Sequence, residues 1–233
     1  HQCDRRQRQM CIRDSSLAST DADIVVTGVV GVAGNTGEDF TITITQSGSG
    51  GGTATVGAIS TDINDVVITA PTIKLQGNIT TELDPDGTNA DDAASIDFNG
   101  DVVIDATTVT LTSGNGTIDF ANNVDSTASA DNNLTIVSGT GSVTFHDAIG
   151  TGTNGEIGTL TVNTGTDSGD ITFNSNADIG TTSAAGAARI LIGNGATGTL
   201  AIDGSFYTSS GGDGSNAAQI YTANAFTMSG TDP

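Results

Sequence analysis

Short triplets of apolar, polar and apolar residues recur along this chain, each followed by a glycine-rich turn or a polar loop. In the clearest stretch they form two series. The first series is Val109-Thr110-Leu111, Leu134-Thr135-Ile136, Leu160-Thr161-Val162 and Ile190-Leu191-Ile192, and the second is Ile118-Asp119-Phe120, Val143-Thr144-Phe145, Ile171-Thr172-Phe173 and Leu200-Ala201-Ile202. Because successive side chains of a strand point to opposite sides, we predict that the outer residues of each triplet face a core and the middle residue faces solvent.

A third inward position follows the triplets of the second series. It is a single apolar residue, Val124, Ile149 or Ile179. Three short strands per repeat, joined by polar corners, predict an all-β fold: a right-handed parallel β-helix, or solenoid, with about seven three-strand coils spaced about 4.8 Å apart. Less regular triplets extend the pattern upstream: Ile96-Asp97-Phe98 with 102–104, 66–68 with Ile73-Lys74-Leu75, and 40–44 with Val56 and Ile59.

One alternative architecture comes from the Asn-Gly pairs that begin at Asn99, Asn115, Asn154 and Asn194. Such pairs are typical of two-residue hairpins, which would favour an antiparallel β-sandwich. The triplets that flank them are too short to make isolated hairpins stable. We therefore expect the β-helix and keep the antiparallel β-sandwich as the alternative.

Composition and charge narrow the range of partners. The chain has 233 residues, with 32 glycines and no tryptophan, and its formal net charge is -21. This charge argues against nucleic acid as a partner, since phosphate backbones need Lys and Arg to replace their counterions, and equally against an anionic membrane surface. No apolar run approaches the roughly 20 residues of a membrane span, so we expect no direct membrane insertion.

The first fifteen residues differ from the rest of the chain. They hold both cysteines, Cys3 and Cys11, and most of the basic residues. Residues 10–15 resemble the translation of a transposase adapter used in sequencing libraries. We therefore predict that residues 1–15 are a non-native leader or sequencing-adapter artefact and that residues 16–233 form the β-helix. Because neither end has an evident polar cap, we expect this solenoid to be a fragment of a longer protein.

Few residues are candidates for catalysis. His146 is the only histidine after residue 15, and it follows Phe145, so alternation points it away from the core. Lys74 and Arg189, the basic residues that a polysaccharide lyase would need, lie far apart in the repeat. The two Gly-x-Gly-x-x-Gly matches, at 150–155 and 193–198, precede strand-like triplets and not the helix that a dinucleotide site needs. The sequence thus assigns no catalytic or cofactor-binding residue and predicts that the chain is not an enzyme.

Calcium is the one candidate ligand with a recognisable motif. Glu82, Asp84 and Asp86 alternate before a glycine, as the oxygen ligands of a calcium loop do, and Asp91 and Asp92 follow. Ala93 stands where such a loop would supply a bidentate Glu. A solvated corner loop built on an Asp-Pro-Asp-Gly turn is the alternative, and we assign no metal ligand.

Threonine-rich β-helices can also bind ice, when each strand presents two outward threonines. Here Thr41, Thr43 and Thr45 form a longer outward row, whereas most triplets present a single outward Thr. The β-propensity of threonine accounts for this pattern, so we do not expect an ice-binding face.

The run from Leu134 through Ser142-Val143-Thr144-Phe145 to Leu160-Thr161-Val162-Asn163-Thr164-Gly165 resembles repeats of large bacterial exoproteins of the filamentous-haemagglutinin and autotransporter-adhesin type. The resemblance covers roughly residues 60–233 in pattern and composition. It implies an extracellular or outer-membrane-associated location and a non-catalytic stalk or adhesive role. Its partners would be glycans or proteins of a host or matrix surface, or neighbouring copies. A carbohydrate-active β-helix enzyme, a polysaccharide lyase or hydrolase, is the alternative.

Overall fold

A computed structural model of the chain describes residues 14–20, 23–30, 41–47, 51–59, 63–81, 94–128, 130–151, 155–163, 167–181, 184–185, 187–193, 198–204, 219–221 and 226–228. The strands are β1 (Asp14–Ser19), β2 (Ile24–Val30), β3 (Thr41–Gln46), β4 (Thr53–Ile59), β5 (Asp65–Leu75), β6 (Ile79–Thr80), β7 (Ala94–Ile104), β8 (Thr108–Thr112), β9 (Asn115–Phe120), β10 (Val124–Ser126), β11 (Asn133–Val137), β12 (Val143–Phe145), β13 (Ile157–Val162), β14 (Ile171–Phe173), β15 (Gly180–Thr181), β16 (Ala184–Ala185), β17 (Ala187–Gly193), β18 (Leu200–Ile202), β19 (Gln219–Tyr221) and β20 (Phe226–Met228). Nowhere in these ranges is there an apolar helix of membrane-spanning length.

Parallel ladders stack the strands into three faces of one column. The first face consists of β1, β3, the first half of β5 and of β7, then β9, β12, β14, β18 and β20. The second face consists of the first parts of β2 and β4, the second halves of β5 and β7, then β10 and two single bridges. The third face consists of the ends of β2 and β4, then β6, β8, β11, β13, β17 and β19. The chain visits the three faces in turn and then returns to the first, which makes it a solenoid.

The strand register agrees with the pattern of triplets. Leu134 pairs with Leu160 on the third face, and Phe145 pairs with Phe173 on the first. Ile149 bridges to its counterparts in the coils before and after it, as the single apolar positions predicted. Every described ladder is parallel except the short pair of β15 with β16. The parallel β-solenoid is therefore confirmed, and the antiparallel sandwich is not supported.

The number of coils differs from the expectation. The solenoid makes about five turns, not about seven. The sequence count assigns a coil to each group of triplets that recurs along the chain, whereas a turn needs three faces that enclose a buried interior. Strands β1 to β4 and β18 to β20 lengthen the same ladders at the two ends.

The start of the column lies close to the predicted boundary of the leader. Strand β1 begins at Asp14 and pairs in parallel with β3, so Asp14 and Ser15 belong to the first rung. Residues 1–13 lie outside the described residues. A foreign origin for residues 1–15 stays a prediction.

A column of phenylalanines runs through the core behind the first face. The rings of Phe98, Phe120, Phe145 and Phe173 lie in successive coils, and none is exposed to solvent. Their centroids are 5.2, 4.8 and 4.8 Å apart, and the last two pairs are almost coplanar, at 3° and 7°. This spacing equals the distance of about 4.8 Å between hydrogen-bonded strands. The ladder therefore sets the ring contacts, and each ring adds aromatic stacking to its buried apolar area.

The corner between the third and first faces is built from small polar residues. Ser113 donates its hydroxyl to the carbonyl oxygen of Gly116 at 2.6 Å, and Ser138 donates equally to Gly141 one coil later. Both serines are buried. A Cβ at Gly141 would overlap the carbonyl oxygen of Gly116, because the backbones of the two coils touch at this corner. Glycine is thus required where coils pack closest, and the hydroxyls satisfy carbonyls that the core would otherwise leave unpaired.

Replacing the central ring tests the stacking. We expect Phe145→Ala to lower the free energy of unfolding by about 3–5 kcal/mol, since it leaves a void between two other rings. Thr144→Ala is the matched control, because Thr144 lies on the same strand and faces outward. Urea unfolding followed by far-UV circular dichroism measures both. Equal effects of the two substitutions would contradict the buried column.

Candidate functional site

A row of polar side chains crosses four coils on the outer side of the first face. Asp97 and Asp119 occupy the middle positions of paired triplets in β7 and β9. His146 and Asn174 follow directly after β12 and β14, next to the phenylalanines of those strands. Hydrogen bonds between coils link Asp119, His146 and Asn174, so this part of the row belongs to the scaffold as well as to the surface.

His146 lies at the centre of this row. Alternation predicted that its side chain points outward, and 45% of it is exposed. It is more than a solvated residue, because its Nε2 lies 2.9 Å from Asp119 Oδ1 and its Nδ1 lies 2.8 Å from Asn174 Nδ2. With the amide of Asn174 donating to Nδ1, the ring proton lies on Nε2 and is donated to Asp119. Both ring nitrogens therefore form hydrogen bonds with side chains of neighbouring coils. Among the described residues, neither nitrogen contacts a hydroxyl group that could act as a nucleophile.

The sequence could have indicated one of these contacts. Aligning the residue that follows each phenylalanine places His146 and Asn174 in one column, one coil apart. The bond to Asp119 was missed because it runs diagonally, from the position after Phe145 to the middle of the preceding coil's triplet. Alignment of the triplets identifies residues that occupy the same position in successive coils. It does not identify contacts between different positions of two coils.

Like charges crowd together at the other end of the row. Burial, followed by the charges of Asp119 and Asp65, raises the pKa of Asp97 above its ordinary value of 3.8. Ser95 opposes this shift in part, with its hydroxyl 3.4 Å from Asp97 Oδ2. The same hydroxyl lies 2.8 Å from Asp65 Oδ1, which also accepts the backbone N–H of Ser95. Asp97 is thus the carboxylate on this face that most favours protonation.

The opposite arrangement occurs at the corner after the second face. Thr127 donates its hydroxyl to Asp105 Oδ1 at 2.6 Å, and Gln76 donates its amide to Asp105 Oδ2 at 2.8 Å. These two hydrogen bonds, in that order, lower the pKa of Asp105, and Lys74 contributes through its charge. Gln76, Asp105 and Thr127 belong to three successive coils, so the carboxylate of Asp105 joins all three at this corner.

The third face differs in kind, because its outward positions are mainly threonines. Strands β8, β11 and β13 each present three outward residues, and two of these occupy matching positions on the three strands: the middle residue of the triplet and the residue just before the triplet. The sequence expectation of one outward threonine per strand holds for β11 and is wrong for β8 and β13. The paired positions are Thr108 and Thr110, Asn133 and Thr135, and Thr159 and Thr161.

The other predicted site residues are distributed as follows. Glu82, Asp84, Asp86, Asp91 and Asp92 lie outside the described residues, so the calcium hypothesis stays a prediction. Within the described ranges, no three His, Cys, Asp or Glu side chains are grouped so that they could hold a metal ion.

The basic residues and the glycine motifs are separated in the fold. Lys74 lies on the second face, whereas the backbone of Arg189 lies on the third. The two Gly-x-Gly-x-x-Gly segments are described only in part, and the strands β13 and β18 follow them. Scans against protein-family models, curated proteins and solved structures returned no match. Any proposal about function therefore rests on the side chains that the three faces present.

The raised pKa of Asp97 predicts an unusual pH dependence. A raised pKa in the folded state contributes stability below pH 3.8 that is lost as the pH rises through the folded value. We therefore expect Asp97→Asn to stabilise the protein at pH 7 by about 0.5 kcal/mol, a small figure because the group is half exposed. Urea unfolding at pH 7 and pH 3 measures the gain, which should vanish at the lower pH.

Asp105→Asn serves as the control of opposite sign. A lowered pKa contributes stability above pH 3.8 that is lost as the pH falls through the folded value. This substitution should therefore destabilise the protein at pH 7 and have no effect once Asp105 is protonated. If both substitutions changed the stability in the same direction at pH 7, the electrostatic account of the two carboxylates would be wrong.

Proposed function

We propose that this chain is a right-handed β-helix that acts as a non-catalytic structural stalk or adhesive repeat segment of a secreted or cell-surface bacterial protein. The observation that carries the proposal is the use of the outward polar groups on the first face. His146, Asp119 and Asn174 bond to one another across three coils instead of converging on a cleft. Such hydrogen bonds between coils stabilise the column and leave its outer surface at these residues without a cleft.

The stalk role follows from how such a column behaves. Each coil contacts only the coils next to it, so length grows by about 4.8 Å per turn without a larger core. The net charge of -21 opposes collapse of one rod onto another and keeps a long β-protein soluble. Corner loops between the strands can then differ from coil to coil and offer contacts to surface glycans or proteins.

The handedness of the proposed helix rests on a general rule of chain geometry. Connections from a strand through a crossover to a parallel strand of the same sheet are right-handed in almost all proteins. Every ladder of the three faces is of this parallel kind.

A carbohydrate-active enzyme is the second candidate, and one observation favours it. Asp97 and Asp119 stand on adjacent coils, and the pKa of Asp97 is raised beside its neighbour. Retaining glycosidases use two carboxyl groups about 5 Å apart, of which the general acid has a raised pKa. Against this role, Lys74 and Arg189 lie on different faces of the column, so the basic residues that bind uronates are not brought together.

Labelling of intact cells tests the location. Antibodies raised against the folded chain should label intact cells of the source bacterium, and externally added protease should remove the signal. Labelling that appears only after the cells are lysed would contradict a surface or secreted role. An abundant cytoplasmic protein provides the control for cell integrity.

An assay of polysaccharide cleavage separates the two candidates. We expect no reducing ends or unsaturated products from a panel of acidic and neutral polysaccharides. Product formed by the natural chain and lost in Asp119→Asn would establish the enzyme instead. Thr172→Asn, which alters another outward position of the same face, is the matched control.

A further inference from the structure

The third face carries a regular grid of threonines. On β8, β11 and β13, outward positions alternate with fully buried leucines, valines and isoleucines, which fix the strand orientation. Thr110, Thr135 and Thr161 form one line across the coils, because the core residues beside them are paired in register. A second, parallel line begins with the paired Thr108 and Asn133 and continues at Thr159, the residue just before the Leu160 that pairs with Leu134.

The spacing of this grid follows from β geometry. Neighbouring coils are about 4.8 Å apart, and alternate residues along a strand are about 6.7 Å apart. Each threonine presents a hydroxyl that both donates and accepts, next to a methyl group. Because their backbones are paired in register, these groups form a regular two-dimensional array.

The hydroxyls of this array are left unused by the protein. Those of Thr110, Thr135, Thr159 and Thr161 have no hydrogen-bond partner among the described residues, whereas Thr108 accepts from the Asn133 amide at 3.4 Å. On the first face, by contrast, Ser95, His146 and Asn174 each bond to a polar side chain of another coil. Four unpaired hydroxyls at lattice intervals are therefore available to an external ligand with its own repeating donors and acceptors.

Charge is also absent from β6, β8, β11 and β13, although the chain carries 27 acidic residues, and this uncharged array ends at β17, where the backbone of Arg189 pairs with Thr159. The outward positions of β6, β8, β11 and β13 on this face are threonines, an asparagine, a glycine and a valine. A charged ligand would find no counter-ion there, and a sugar ring would find no aromatic side chain on which to stack. The ligand that suits this face is therefore uncharged and has hydrogen-bonding groups at regular intervals.

We propose that the third face binds ice. The surface of ice is an uncharged lattice of water molecules, each of which donates and accepts hydrogen bonds, at intervals comparable with those of the grid. The threonine hydroxyls take the place of surface waters, and the methyl groups between them hold the intervening waters in ordered positions. This activity goes beyond the proposed stalk role and does not depend on where the chain is displayed.

Partition into slowly growing ice tests the proposal. We expect the natural chain to be enriched in the ice fraction relative to a neutral non-binding protein, and to slow recrystallisation of polycrystalline ice. Thr135→Lys, at the centre of the grid, should reduce the partition at least tenfold. Thr144→Lys, an outward threonine of the first face one strand away, is the matched control and should leave it unchanged.

Circular dichroism establishes that both variants fold, so a lost activity cannot be attributed to unfolding. Exclusion of the natural chain from ice would overturn the proposal, and so would equal effects of the two lysines. Binding to crystalline cellulose or chitin without enrichment in ice would identify the third face as a polysaccharide surface and would likewise overturn it.

Discussion

In-register stacking of like side chains is the interaction on which the rest of this structure depends. Parallel pairing puts Phe120, Phe145 and Phe173 above one another at 4.8 Å, the same distance that the backbone ladder imposes. A slip of one residue would turn every inward residue of a strand toward solvent. The hydrogen bonds and the core therefore specify the same register, and the three-residue strands β12, β14 and β18 each have a partner on both sides.

The corners determine whether such stacking can continue from coil to coil. Gly116 and Gly141 allow successive backbones to touch, and the hydroxyls of Ser113 and Ser138 satisfy the carbonyl groups there. A β-helix without these small residues would have to separate its coils at the corner, which would break the ladders next to it. Close packing between turns thus accounts for the glycines at these corners.

Much of the fold was predictable because the inward positions repeat. The triplets, the parallel pairing and the bridge of Ile149 to Val124 and Ile179 all follow from apolar spacing, which is a property of the sequence alone. The number of turns was not predictable, since it depends on which triplets enclose a core. Contacts of outward residues were predictable only in part. The diagonal bond of His146 to Asp119 depends on an offset between coils, whereas the outward residue before a triplet of the third face, such as Thr108, follows from alternation along its own strand.

The three outer faces of one column thus have different chemistry: a bonded polar row, a corner centred on Asp105, and a neutral threonine grid. All three depend on parallel, in-register coils, and a disulfide tests this most directly. With Cys3 and Cys11 replaced by serine, cysteines at Thr144 and Thr172 should cross-link on mild oxidation, because paired Cα atoms about 5 Å apart suit a disulfide. Cysteines at Thr144 and Ala201, two coils apart, should not. Cross-linking of the distant pair, or none of the near pair, detected by mass spectrometry, would contradict the stacked column.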